Sequence, residues 1–558
     1  MKIATTLSAL LLAAAPALAQ DTCPLDTDTL SVGNFSANVF GKGLTYDGDG
    51  FDGSIRYRNG EGDLATVVFS QGIWLGGLAP NGELAVAAQR YGGLGQRREG
   101  DFVNGPLRST DGEQDTSELF CDAFQISRAE IEAFQLDVAD GRLDEPHDGI
   151  TAWPGAGNPM YDFGPGLDTL APFVDADGDG AYDPTAGDYP AVTGDRAVWW
   201  VMNDLGTHFE TGSTIPLGVE VQGLLEGFGE GTDPELASAM KLTYRITNRS
   251  DRQLDSLYVA LWQDVDLGCA EDDWVGSLPA LNALYFYNVD ESDGFTGTVC
   301  GGQATFGTSV PILVSRFLSA QTATSTVDTA HSGTVASNST ATGAPRPIAT
   351  RGPNPGRPAE FYNVLRGLWS DRTPLTAAGM GYYTPGPVTR WMYPGNPADA
   401  TGWSACGNGD EGDSRTHLSA RPTPSFPPGQ SIIIEYALLA IEDIPLPCPD
   451  ADVIAEATER LTERLLARPL VSSTSATSGA TAQLDVYPNP SGGAGFAVRL
   501  PTTAPGTRLT IVDAVGRTVR SYVATGDVQE VGGLAPGLYV ARLTDAAGVR
   551  YAQRVVVQ

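Results

Sequence analysis

The 558-residue chain has only three lysines, Lys2, Lys42 and Lys241, and four scattered histidines, His147, His208, His331 and His417. Nearly all of its 34 basic residues are therefore arginine, and they face 68 acids, for a net charge of -34. So acidic a surface repels phosphate and anionic lipid, which argues against nucleic acid and membrane surfaces as partners and makes cations the natural small ones. Long apolar runs are also missing. After Leu18 no segment approaches the roughly 20 apolar residues that span a bilayer, so no transmembrane segment is expected. There is no H-E-x-x-H, no G-x-S-x-G elbow, no G-x-x-x-x-G-K and no C-x-x-C. Zincin, serine-hydrolase, P-loop and zinc-knuckle chemistry thus have no linear support.

What is present points to strands. The 67 Gly and 38 Pro interrupt helices and punctuate turns, while 41% hydrophobic residues suffice for packed cores in more than one domain. At the N-terminus, Lys2 precedes an apolar run from Leu7 to Leu18 that ends in Ala17-Leu18-Ala19, the small-x-small pattern of a secretory signal. Export would place the six cysteines in an oxidising compartment. Proximity along the chain favours Cys269 with Cys300 and Cys406 with Cys448, leaving Cys23 with Cys121.

The expected fold is mainly β: a multi-domain β-sandwich body with a few short helices, followed by a small C-terminal β-sandwich domain. Residues 1–20 are the signal peptide, 21–470 the body with an internal boundary near 205–235, 471–483 a Ser/Thr/Ala linker, and 484–558 the C-terminal domain. LATVVFS at Leu64 to Ser70 and SIIIEYALLAI at Ser431 to Ile441 read as strands. Met240 to Gly268 alternates through Leu242, Tyr244 and Ile246, breaks at Asn248 to Arg252 and resumes through Leu257, Val259 and Leu261, which predicts a hairpin. Helices are expected at Ser127 to Val138, where Ser127 and Glu130 have capping-box spacing, and from Asp452 to Ala467, with Ile454, Ala457, Leu461 and Leu465 on the buried side. Thr322 to Gly343, rich in Ser and Thr, reads as an exposed loop.

The last 75 residues differ chemically from the rest, with seven Arg against five acids. They carry YPNP at Tyr487 to Pro490, a V-D-A-x-G-R strand in LTIVDAVGRTVRS, L-x-P-G-x-Y-x-x-R in LAPGLYVARLTDAAG, and a terminal apolar strand. Buried positions are expected at Phe496, Val498, Leu500, Leu509, Ile511, Leu538, Val540 and Leu543. This order resembles the type A C-terminal sorting domain of type IX secretion cargo. The resemblance implies an immunoglobulin-like β-sandwich recognised by the outer-membrane translocon through residues 484–558. It also implies release from, or attachment to surface polysaccharide on, the outer face of a Gram-negative cell.

The body, through GIWLGGL, LAPFVDADGDGAYDPTAGDYP, WWVMND and DVDLGCAEDDWVG, resembles the large uncharacterised secreted bodies found in front of such domains, a likeness that implies no reaction. Its clearest chemistry is DADGDGAYD. Asp175, Asp177, Asp179 and Asp183 fall at positions 1, 3, 5 and 9 of a calcium loop, Gly180 takes the turn at position 6 and Ala181 offers its carbonyl at position 7. Position 12 is Ala186, so Asp188 is expected to supply the last carboxylate, in a spacing that resembles thrombospondin type 3 and dockerin-like loops. Weaker cation candidates are Asp47, Asp49 and Asp52, and Asp264, Asp266, Glu271, Asp272 and Asp273 with Asp290 and Asp293; solvated acidic turns are the favoured reading there. Trp74, Trp153, Trp262 and Trp391 are assigned to sandwich cores rather than to a sugar cleft. The expectation is a calcium-stabilised, non-enzymatic surface or adhesive protein with a glycan as a further partner. The alternative is a secreted carbohydrate-active or other hydrolase whose paired carboxylates no linear motif would reveal.

Overall fold

The computed structural model describes residues 27–557 apart from 44–52, 92–99, 110–111, 116–117, 141–146, 162, 230–232, 271, 295–299, 301–303, 323–325, 328–329, 338–354, 410–413, 472–484, 490, 492–494, 501–507, 514–517, 524–527 and 546–547. The segments expected as a leader, 1–20, and as a linker beyond Val471 thus lie outside the described residues.

The protein is mainly β, and its named strands pair antiparallel throughout. A ten-stranded sheet runs through Asp273–Leu278, Ala283–Asn288, Ile312–Gln321, Ser431–Ile441, Ala239–Asn248, Val219–Gly227, Arg196–Asn203 and Val103–Asn104, with Phe124–Ser127 and Thr326–Val327 attached to its flanks. A five-stranded sheet runs through His331–Ser337, Ser414–Phe426, Leu254–Asp264, Ser70–Leu78 and Leu84–Ala88. Residues 27–68 add a four-stranded antiparallel sheet. Strand alternation explains the layering. On the five-stranded sheet Ile73, Leu75, Val259 and Leu261 join the main core, whereas Trp74, Ala260 and Trp262 face the helix Pro358–Leu365 on the opposite side. On the larger sheet Val198, Trp200 and Met202 join the main core, and Ala197, Trp199 and Val201 meet a second cluster that includes Ile131 and Phe134 of the helix Arg128–Asp140. Strands covered on both faces read as continuous apolar runs, as WWVM does.

Both expected helices are present. Ser127 Oγ accepts the Glu130 N–H at 3.2 Å, while the Glu130 side chain accepts the Gly149 N–H at 2.7 Å instead of closing the box. Ile131 and Phe134 are buried, but Val138 is 41% exposed and lies off the apolar face. In Ala451–Ala467, Asp450 caps the Asp452 N–H, and Ile454, Ala457, Leu461 and Leu465 are buried.

The expected Met240 to Gly268 hairpin is an arch. Ala239–Asn248 pairs with Val219–Gly227 and Ser431–Ile441, whereas Leu254–Asp264 pairs with Ser414–Phe426 and Ser70–Leu78, so the turn carries the chain from one sheet to the other. Asn248 fixes the crossing: its Nδ2 donates to the carbonyls of Arg252 and Phe426, both at 2.8 Å, and its Oδ1 accepts the Ser250 N–H at 3.0 Å. Within Thr322 to Gly343, expected as an exposed loop, Thr326–Val327 and His331–Ser337 instead pair with neighbouring strands. A Ser/Thr-rich segment with little to bury still satisfies its backbone by adding to a sheet edge.

The boundary expected near 205–235 falls between strands that share one sheet. Arg196–Asn203 pairs along its length with Val219–Gly227, and one buried cluster takes side chains from Leu30 to Leu465. The Gly- and Pro-bearing stretch between them is a pinned crossing, because the buried Asp204 carboxylate accepts the N–H groups of Leu217, Gly218 and Val219 at 2.5 to 2.9 Å.

Residues 485–557 form seven strands in two sheets around their own core, built from Phe496, Val498, Leu500, Leu509, Ile511, Val531, Tyr539, Ala541, Leu543, Val555 and Val557. Tyr539, Ala541 and Leu543 are its inward residues on Gly537–Asp545, in place of the expected Leu538 and Val540. Asn489 ties the start of the module to its end, its Oδ1 accepting the Val556 N–H at 2.9 Å.

Candidate metal centre

The 175–188 loop leaves the short strand Phe173–Val174 and returns at Tyr189–Pro190, which pair antiparallel. Its aspartates cap the loop's own backbone. Asp175 accepts the N–H groups of Gly178 at 2.7 Å and Gly180 at 3.1 Å, Asp177 that of Asp179 at 3.2 Å, and Asp179 that of Ala181 at 2.8 Å. Gly180 has φ of 87°, a left-handed value that favours glycine. Asp188 is buried beneath the loop and accepts the N–H groups of Ala176 at 2.7 Å and Asp183 at 2.9 Å. Burial pushes its carboxyl up against those two donors, and the charges of Asp175 and Asp177 add to the rise.

Asp175, Asp177 and Asp188 each present an oxygen within 4.8 Å of the others, a separation that one oxygen-liganded cation at about 2.4 Å from each can span. Asp179 and Asp183 are not in that group. Asp183 accepts the Thr185 N–H at 2.8 Å and caps the short helix Pro184–Ala186. Ala181 adjoins the loop through its N–H contact with Asp179.

A second acidic group is brought together around Cys269. Cys269 and Cys300 are disulfide-bonded with Cα atoms 5.2 Å apart, as Cys406 and Cys448 are at 5.8 Å. Cys121 is disulfide-bonded too, while Cys23 lies outside the described residues. Sulfur or carboxylate atoms of Cys269, Asp272 and Asp293 lie within 4.8 Å of one another, and all three residues are buried. Asp293 accepts the N–H groups of Cys269 at 3.0 Å and Phe306 at 2.6 Å, Asp272 that of Gly294 at 3.2 Å, and Asp273 that of Leu267 at 2.8 Å. Gly268, with φ of 78°, must be glycine, since a Cβ there would stand 1.9 Å from Asp293 Oδ2. Burial, then the Asp293 charge, pushes the Asp272 carboxyl up to about 7. Burial pushes Asp293 to about 6, and burial with the Asp272 charge drives Asp273 well above the carboxylate range.

Of the other acids named with this group, Asp266 and Asp290 remain close enough for their charges to raise its carboxyls, while Asp264 is engaged elsewhere. Asp264 takes the Tyr91 hydroxyl at 2.6 Å and the Arg415 guanidinium at 3.3 Å. Glu271 lies outside the described residues, as do Asp47, Asp49 and Asp52. The sequence ranked this buried group below the 175–188 loop because acidity alone does not reveal burial. The available signal was the Cys269–Cys300 pairing, which draws the segment around Asp293 onto Asp272.

The tryptophans fill cores. Trp74, Trp153 and Trp262 are fully buried, and the half-buried Trp391 packs against the main cluster. A gap between the two large sheets, lined by Ile55, Leu225, Met240, Leu242, Leu261 and Tyr436 among others, has room for about one water and no carboxylate on its wall.

No family model matches the chain, and no curated protein matches it. Among solved structures it is similar to a chain described as a polysaccharide lyase, at 9% identity over 61% of this chain and 34% of that one, with a TM-score of 0.15. The match spans about a third of that protein, and a likeness this slight carries no argument about activity.

Proposed function

We propose that this chain is a secreted or cell-surface, calcium-stabilised structural or adhesive protein, with residues 484–558 serving as the signal read by a type IX outer-membrane translocon and surface polysaccharide or another glycan as its attachment partner. The observation that carries the reading is the independence of the C-terminal module. Residues 485–557 enclose their own core, differ in charge balance from the acidic body, and hold the YPNP segment against the final strand through Asn489. A unit that folds around its own core can be recognised apart from what precedes it. No described helix is long and apolar enough to cross a membrane.

Removing residues 484–558 is expected to leave the body in the periplasm with its leader cleaved, read by fractionation and surface proteolysis of cells carrying a type IX system. Equal surface delivery of the shortened chain would refute the sorting role. For the metal, chelation is expected to lower the melting temperature of the calcium-loaded protein, the bound ion contributing about 2.7 kcal/mol at 100 times its Kd. Asp175→Asn with Asp177→Asn is expected to remove the share of that shift due to the 175–188 loop, and Asp179→Asn to remove less, because Asp179 stands outside the convergent group. A shift unchanged by the double substitution would defeat the assignment.

A further inference from the structure

We infer that the buried, convergent carboxylates of Asp272 and Asp293, flanked by Asp273 and by Asn288 opposite it in register, form a second divalent-cation site of the calcium class, enclosed at the end of the ten-stranded sheet. Asp273 opens the strand Asp273–Leu278 and stands opposite Asn288 at the end of Ala283–Asn288. Backbone bonds close the group: the Val289 N–H donates to the Asp272 carbonyl at 2.7 Å and the Asp293 N–H to the Gly307 carbonyl at 2.8 Å. The inference does not depend on the 175–188 loop or on export.

Three oxygens point to a ligand. Asp272 is 3%, Asp273 5% and Asn288 0% exposed, and in each residue Oδ1 is buried with no hydrogen-bond partner. Asn288 is the independent witness, because it is neutral. Its Nδ2 donates to the Asp290 carbonyl at 3.2 Å and to Asp290 Oδ1 at 3.3 Å, which leaves the amide oxygen without a partner on the residue opposite Asp273. A buried oxygen without a donor keeps its desolvation cost uncompensated, and an isolated buried carboxylate costs more. Among the described residues no basic side chain pairs with Asp272, Asp273 or Asp293. One hard cation held by Asp272 and Asp293 answers the convergent pair, and its charge offsets the repulsion that Asp273 adds beside them. Carboxylate and amide oxygens are calcium ligands, whereas Cys269, held in its disulfide, has no thiolate to offer a softer metal.

The test uses the full chain with Asp175→Asn and Asp177→Asn already in place, so that the loop site does not contribute. After dialysis against dilute calcium, this protein is expected to retain one equivalent by elemental analysis, and adding Asp272→Asn with Asp293→Asn should remove it. Terbium gives a readout that spares the ligands, since Trp274 follows Asp273 directly and is nearly buried. Excitation of tryptophan should sensitise bound terbium, and Trp274→Phe should reduce that emission several-fold. If the loop-disabled chain holds no calcium, or if its calcium survives both ligand substitutions, the site is overturned. If the ligand variant does not fold, terbium decides: emission lost with Trp274→Phe upholds the site, and emission unchanged or never seen overturns it.

Discussion

Replacing Lys241 by methionine is expected to destabilise the body by about 3–5 kcal/mol at neutral pH, the cost of leaving a buried charge without its partner. Lys241 sits opposite Glu226 in register, with Nζ 2.7 Å from Oε2, and Glu226 is 1% exposed. Its Oε1 also accepts the N–H groups of Thr193 and Gly194 and the Thr193 hydroxyl. Burial would push the Glu226 carboxyl up, but the Lys241 charge and these donors hold it below the usual carboxylate range. A depressed folded value means stability that is present above the unfolded pKa of about 4.3 and lost as the pH falls through the folded one. In the variant, burial acts alone against the donors, so the carboxyl takes up a proton more readily and the penalty shrinks in acid. Denaturant melts at pH 7 and pH 4 should therefore show the gap between wild type and Lys241→Met narrowing at the lower pH. Adding Glu226→Gln should recover much of the loss at pH 7. A gap that ignores pH would show that lost packing of the lysine stem, and not the stranded charge, is the cause.

Trp262→Ala is expected to cost about 3–5 kcal/mol through the cavity it leaves. The Trp262 ring stacks on Trp74 at 5.9 Å, takes the edge of Tyr91 at 5.3 Å, and lies in the cluster beneath the helix Pro358–Leu365. Trp74 is held in turn by its Nε1 bond to the Gln89 carbonyl at 3.0 Å and by Phe361 at 4.8 Å. Removing one ring of a stacked pair leaves the rest without contacts they cannot replace. Thermal denaturation should show the loss, and any glycan binding by the intact chain should survive at temperatures where the variant stays folded. Glycan binding abolished in a variant of unchanged stability would reverse the assignment and make this aromatic group a binding surface.

Much of the fold was legible where local pattern and tertiary demand agree. The helix Ala451–Ala467 follows from its apolar spacing and Asp cap, and Ser431–Ile441 from its β-branched run. The two shorter disulfides follow from chain proximity. Strand partners were not legible. Alternation fixes which way Leu242, Tyr244 and Ile246 point, but both edges of their strand are taken by Val219–Gly227 and Ser431–Ile441, which no local signal announces. For the acidic sites the spacing of Asp175 and Asp177 was readable, and the depth at which Asp188, Asp272 and Asp273 sit was not. Burial of a carboxylate depends on chain that arrives from elsewhere, as Asp293 does.

The late strand Ser431–Ile441 has a consequence for the order in which the molecule can assemble. It lies between Ile312–Gln321 and Ala239–Asn248, and it is the element that joins the two halves of the ten-stranded sheet. A nascent or proteolysed chain that stops before residue 430 would present two facing open edges instead of one sheet, each a template for pairing with another molecule. Because closure waits on contacts separated by more than a hundred residues, folding should be slow and its intermediates adhesive toward one another. A chaperone that shields strand edges would therefore be needed most in the interval before this single strand is in place.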